Sequence, residues 1–92
     1  MSVTVRIPTP LRKITNDQDV VAASAGDLTT VIAGLDSNYP GLKDRVVDEA
    51  GEIRRFVNVF VNGEDVRFLD GLGTKVAEGD EISIVPAVAG GS

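Results

Sequence analysis

Ninety-two residues make one domain with room for a single modest core. Nine Lys and Arg stand against fourteen Asp and Glu, a net charge of −5 that serves solubility, suits a partner with a basic docking surface and disfavours nucleic acid or anionic membrane. The chain has no Cys and no His, so disulfides, thiolate nucleophiles, the usual general base and the commonest metal ligands are missing, which disfavours a self-sufficient enzyme and a metal site alike.

Residues 1–7 hold no signal-peptide apolar run and no stretch nears membrane-spanning length, so a cytoplasmic protein without membrane contact is expected. Val3, Val5 and Ile7 alternate with Thr4 and Arg6, predicting a first strand with one apolar face. Pro8 and Pro10 stop it, because proline cannot donate to a ladder. Leu11 is expected to fold back onto the core ahead of a polar loop over residues 12–18, with a weaker second strand over residues 19–23.

Leu28, Val31, Ile32 and Leu35 fall at i, i+3, i+4 and i+7, one face of an amphipathic helix, and Asp27 is placed to cap it. Pro40-Gly41 ends that helix region, and a short second helix is expected within residues 42–50, with Leu42, Val46 and Val47 inward. Gly51 opens a turn. Residues 56–62 form the strongest strand, Val57, Val59 and Val61 on one face and Phe56, Asn58, Phe60 and Asn62 on the other. The two Asn mark the second face as solvent-facing, with the Val residues against the helix. Asn62-Gly63 signals a turn, residues 66–68 a short returning strand, Asp70-Gly71 and Gly79-Asp80 further turns, with Leu72 and Val76 in the core. A last strand covers residues 81–85.

These elements predict an α+β domain in which one main helix covers one face of a mixed sheet of about five strands. Pairing of the first strand with the last would make it a β-grasp, ubiquitin-like fold over residues 1–86. Residues 87–92 form a tail ending Gly90-Gly91-Ser92. Alone, such an ending is no more than a frayed terminus or a cloning remnant. The strand before it gives it weight, because glycine lacks a Cβ and a thin tail can thread a narrow channel.

The element order, the turn Glu78-Gly79-Asp80-Glu81-Ile82 and the ending Pro86-Ala87-Val88-Ala89-Gly90-Gly91 resemble the MoaD/ThiS family of ubiquitin-like sulfur carriers. Within it, Arg55-Phe56-Val57-Asn58-Val59-Phe60-Val61-Asn62, followed by Glu64-Asp65-Val66-Arg67-Phe68, looks most like the CysO-type carriers of cysteine biosynthesis. The resemblance implies a protein that is not an enzyme and binds no cofactor. A ubiquitin-activating-type adenylating enzyme would use ATP and Mg²⁺ to adenylate the Gly91 carboxylate, and sulfide or a persulfide would displace AMP. The resulting thiocarboxylate would pass sulfur to an acceptor such as a PLP-dependent cysteine synthase or a thiazole-synthase-like enzyme. Gly91 would carry the sulfur, with Gly90 and Ala89 giving a slim approach, and Phe60, Phe56 and Val88 would dock the partner. The family's mature form ends in Gly-Gly. Ser92 is therefore either removed by a metal-dependent peptidase cutting after Gly91 or foreign to the native chain. Four rival readings share the fold: a protein modifier joined through Gly91, a sulfur donor to molybdopterin, thiamine or a thiosugar, a molybdopterin-synthase small subunit, and an interaction module with an inert tail.

Overall fold

A computed structural model describes residues 2–86 of the chain. Strand β1 (Val3–Arg6) buries Val3 and Val5 and exposes Thr4 and Arg6, the two-residue period expected of a half-buried strand. It pairs antiparallel with β2 (Val20–Ala23), from Val3 opposite Ala23 to Arg6 opposite Val20. Between them Pro8 precedes a 3-10 turn, Thr9–Leu11, which returns Leu11 to the core as expected. The following loop is polar and mostly exposed as predicted, with Thr15 the exception. Thr15 is fully buried there, and its hydroxyl donates to the carbonyl of Gln18 at 2.9 Å.

Helix α1 (Leu28–Asn38) buries the predicted Leu28, Val31, Ile32 and Leu35, and Asp27 caps it by accepting from the Thr30 N–H at 2.8 Å. Tyr39 closes the helix by donating its N–H to Leu35, and Gly41 at φ +99° turns the chain through a region that favours glycine. The Asp36 carboxylate then accepts from the N–H groups of Gly41 and Lys43, both at 3.1 Å, tying α1 to α2 (Leu42–Val46). Helix α2 is shorter than the residues 42–50 that sequence allowed, because Val47 turns extended and bridges to Ile53. Leu42, Val46 and Val47 are buried as expected.

Strand β4 (Val57–Val61) buries Val57, Val59 and Val61, while Asn58 and Phe60 are half-buried on the other side. Asn62 and Gly63, both at positive φ, turn it back into β5 (Glu64–Asp65). The expected strand over residues 66–68 is instead a 3-10 turn, Val66–Phe68. The Asp65 carboxylate accepts from the Arg67 N–H at 2.9 Å and holds the backbone out of the ladder. A further 3-10 turn, Gly71–Gly73, leads to β6 (Lys75–Val76), which pairs with β3 (Gly26–Asp27) in a small separate sheet not anticipated from sequence. Val76 is buried and Leu72 half-buried.

Strand β7 (Glu81–Pro86) completes the main sheet, in the order β2-β1-β7-β4-β5. It runs parallel to β1, with Val5 opposite Ile82, and antiparallel to β4, with Val59 opposite Ile84. The sheet is therefore mixed, one helix face covers it, and the strand last in the chain is central. This is the ubiquitin-like β-grasp arrangement. Val59 shares with the four helix residues, Val5, Val46, Ile82 and Ile84 a void of only about 10 Å³, and Val57 and Val61 belong to the same buried cluster.

Candidate functional site: the tail exit and the open sheet face

The tail residues Val88, Ala89, Gly90, Gly91 and Ser92 lie outside the described residues. What the fold fixes is the place where that segment begins. Pro86 ends β7 opposite Val57, so the tail starts from a strand hydrogen-bonded on both flanks. β7 is the central strand, in register with β1 as far as Ser83 and with β4 as far as Pro86.

On the face of the sheet away from α1, Thr4, Arg6, Val20, Ala22 and Val85 are exposed. Register places Val20, Arg6, Ser83, Phe60 and Asp65 in one row across it, with Asn58 and Val85 paired beside them. Phe60 is half-buried at the middle of this face, and Val20 and Val85 add exposed apolar surface. Arg6 and Glu81 form an ion pair on the same face, the only one among the described residues. Phe56, assigned from sequence to the strand face beside Phe60, lies one residue before β4, in a turn closed by the Val57 N–H donating to Arg54. It is well exposed, and it stands at the tail exit instead of in the row with Phe60.

Arg67 holds that turn. Its guanidinium donates to Asn58 Oδ1 and to the backbone carbonyls of Arg54 and Val57, each at 2.7 Å. The same 3-10 turn leaves Phe68 87% exposed and Leu69 partly exposed, an apolar pair that sequence reasoning hid by placing residues 66–68 in a strand. The available signal was Asp65, a side chain that favours local turns over ladders.

Among the described residues no group of His, Cys, Asp or Glu is placed to hold a metal ion. A shallow depression of about 370 Å³ between residues 51–53 and 70–73 is lined by Ile53, Leu72, Arg67, Asp70 and Glu52, with no nucleophile paired to a base. Two carboxyls sit below their ordinary range, and both are structural. The Thr30 hydrogen bonds hold Asp27 down at the start of α1. The Ala77 N–H, helped by the Asn62 side chain, does the same for Asp80 in the turn before β7. No described helix is long and apolar enough to cross a membrane.

A β-grasp domain whose central strand precedes a sequence ending Gly90-Gly91-Ser92, without a catalytic constellation among its described residues, defines a ubiquitin-like protein. The chain belongs to the ThiS family, whose model matches residues 5–91. It is 52% identical over 93 residues to the sulfur carrier protein CysO of Mycobacterium tuberculosis, covering 99% of this chain and all of that one. In structure it matches a chain of the BexX/CysO complex of Amycolatopsis orientalis at a TM-score of 0.91 and 45% identity, covering 96% of this chain and 98% of that one. It is also 42% identical over 69 residues to small archaeal modifier protein 3 of Haloferax volcanii, covering 75% of this chain and 71% of that one.

Proposed function

We propose that this protein carries sulfur as a thiocarboxylate at Gly91, in the cytoplasm, chiefly for cysteine biosynthesis. The observation that carries the reading is full-length similarity to CysO together with a family match that runs through Gly91. A carboxylate is a poor electrophile. An adenylating enzyme, using ATP and Mg²⁺, joins AMP to the Gly91 carboxylate and releases pyrophosphate. Sulfide then attacks the acyl carbon, AMP leaves, and the C–S bond replaces the C–O bond. A carrier needs no active site for this, only a slim terminus on a rigid body. The open sheet face around Phe60 supplies the docking surface, and Val88, Ala89 and Gly90 enter the partner. A PLP-dependent cysteine synthase is the proposed sulfur acceptor.

Ser92 must be removed first, by a peptidase of the metal-dependent type that processes ubiquitin-like tails. With Ser92 in place the Gly91 carbonyl is an amide, and a thioacid on Ser92 would sit one residue too far along. Two purified forms, ending at Gly91 and at Ser92, are to be incubated with ATP, sulfide and the adenylating enzyme but no peptidase. Intact mass should show one oxygen replaced by sulfur on the Gly91 form alone. Equal conversion of both forms would reject the trimming step, and conversion of neither would reject the carrier reading.

The similarity to an archaeal modifier protein favours a second reading, attachment of Gly91 to lysine amines of other proteins. Its mark is an isopeptide-linked conjugate in place of a free thiocarboxylate.

A further inference from the structure

Net charge alone suggests a basic partner, but the fold distributes that charge unevenly along the strands. Because β1 and β7 are parallel and β4 runs against them, the segment leaving β1 and the segment entering β4 flank the tail exit. The first of those segments, residues 7–19, carries Arg12 and Lys13 with Asp17 and Asp19, and the second, residues 53–58, carries Arg54 and Arg55 and no carboxylate. The opposite end of the sheet gathers residues 62–65 and 77–81, through the Asn62 N–H donating to Glu81 and the Gly79 N–H donating to Ser2. Here stand Glu64, Asp65, Glu78, Asp80 and Glu81 and no basic residue. The molecule is therefore polarised along its strands, with Arg and Lys in excess where the tail leaves and carboxylates in excess at the far end, Glu81 there being paired with Arg6.

Part of the positive end is committed to the fold. The Arg12 side chain donates to the Ile7 carbonyl, and Arg54 donates to the Asp44 carbonyl. Arg55 and Lys13 are exposed, and neither makes a side-chain hydrogen bond or ion pair among the described residues. They stand on the two segments that flank the exit, each with its charged head available.

We infer that the enzyme surface receiving the tail carries carboxylates around the mouth of its channel, which Arg55 and Lys13 engage from either side of the exit. The inference rests on the carrier reading above and adds the chemistry of the partner. An acidic mouth attracts the tail-bearing end and repels the far end, so encounters begin with the terminus pointing inward. It also separates recognition from reaction, because the charges guide docking while the glycines reach the nucleotide.

The test uses the form ending at Gly91, the adenylating enzyme of the same organism, ATP and sulfide, with initial rates of thiocarboxylate formation measured against carrier concentration. The double variant Arg55→Glu/Lys13→Glu should raise KM about tenfold and leave kcat unchanged. The difference should shrink as salt is added, since exposed charges are screened within about 8 Å at physiological ionic strength. The neutral pair Arg55→Gln/Lys13→Gln should fall between, and Glu64→Lys/Glu78→Lys at the far end should not raise KM. Melting curves should match the parent, because neither head supports the fold. A parental KM for the Glu pair, equal impairment by the far-end pair, or an effect indifferent to salt would overturn the acidic mouth. Absence of thiocarboxylate from the parent protein would reject the carrier reading itself and this inference with it.

Discussion

Leu35→Ala tests the packing that fixes β7, and through it the tail. Leu35 is 2% exposed and lines the small void between α1 and the sheet with Val5, Val59, Ile82 and Ile84. The change removes three carbons, worth about 2.4 kcal/mol at about 0.8 kcal/mol per buried methylene. The new space joins a void of about 10 Å³, and the surrounding β-branched side chains have few rotamers with which to fill it. A cavity penalty therefore adds to the transfer loss, and about 3 kcal/mol is expected, inside the usual span of about 2–5 kcal/mol. For a domain of this size that lowers Tm by roughly 12–24 °C, at about 4–8 °C per kcal/mol. With no Trp and one Tyr, far-UV circular dichroism is the suitable probe, in urea as well as on heating. The urea midpoint should fall while the slope m stays fixed. A loss below about 1 kcal/mol would refute tight packing of Leu35 on the sheet.

On the other side of the same sheet, Phe60→Ala should weaken binding to the adenylating enzyme, about thirtyfold for a loss near 2 kcal/mol, with Tm barely changed. A marked loss of Tm with unchanged binding would place Phe60 in the core. Arg67→Met should speed hydrogen exchange at the Val57 amide, because the clamp on the 54–57 turn is gone; unchanged protection there would show that the turn holds itself. Asp27 and Asp80 have folded pKa values below their unfolded ones, so their contributions are full above the ordinary carboxylate range and are lost as pH falls through the folded values. The urea midpoint should drop in that acid window, and Asp27→Asn/Asp80→Asn should flatten the drop; an identical acid limb would exclude these two groups as its source.

The elements most legible in the sequence were those whose own residues settle their structure. Four apolar residues at helical spacing behind an Asp cap specify α1, and three alternating Val specify the buried face of β4. What escaped was decided by partners distant in sequence or by a single side chain. Gly26–Asp27 and Lys75–Val76 are too short for any periodicity and become strands only by pairing with each other. Residues 66–68 look like a strand by composition, yet the Asp65 cap curls them into a turn and leaves Phe68 exposed. Thr15 reads as loop and is buried because its hydroxyl satisfies the carbonyl of Gln18 within the turn. At the site, chemistry and placement came from different sources. The role proposed for the diglycine rests on family resemblance, since no spacing rule predicts adenylation. The charge separation along the strands became visible only with the parallel pairing of β1 and β7, because composition reports a sum and not a position.

That parallel pairing also sets how the molecule bears force. A pull between the start of β1 and the end of β7 draws two neighbouring strands past each other lengthwise, so their evenly spaced hydrogen bonds are strained together and not one at a time. The antiparallel ladder to β4 restrains β7 from its other flank. A pull on the end of β7 therefore loads ladders on both sides of that strand, where a strand at the sheet's edge would have only one. A body built in this way is suited to staying folded while its C-terminal strand is pulled.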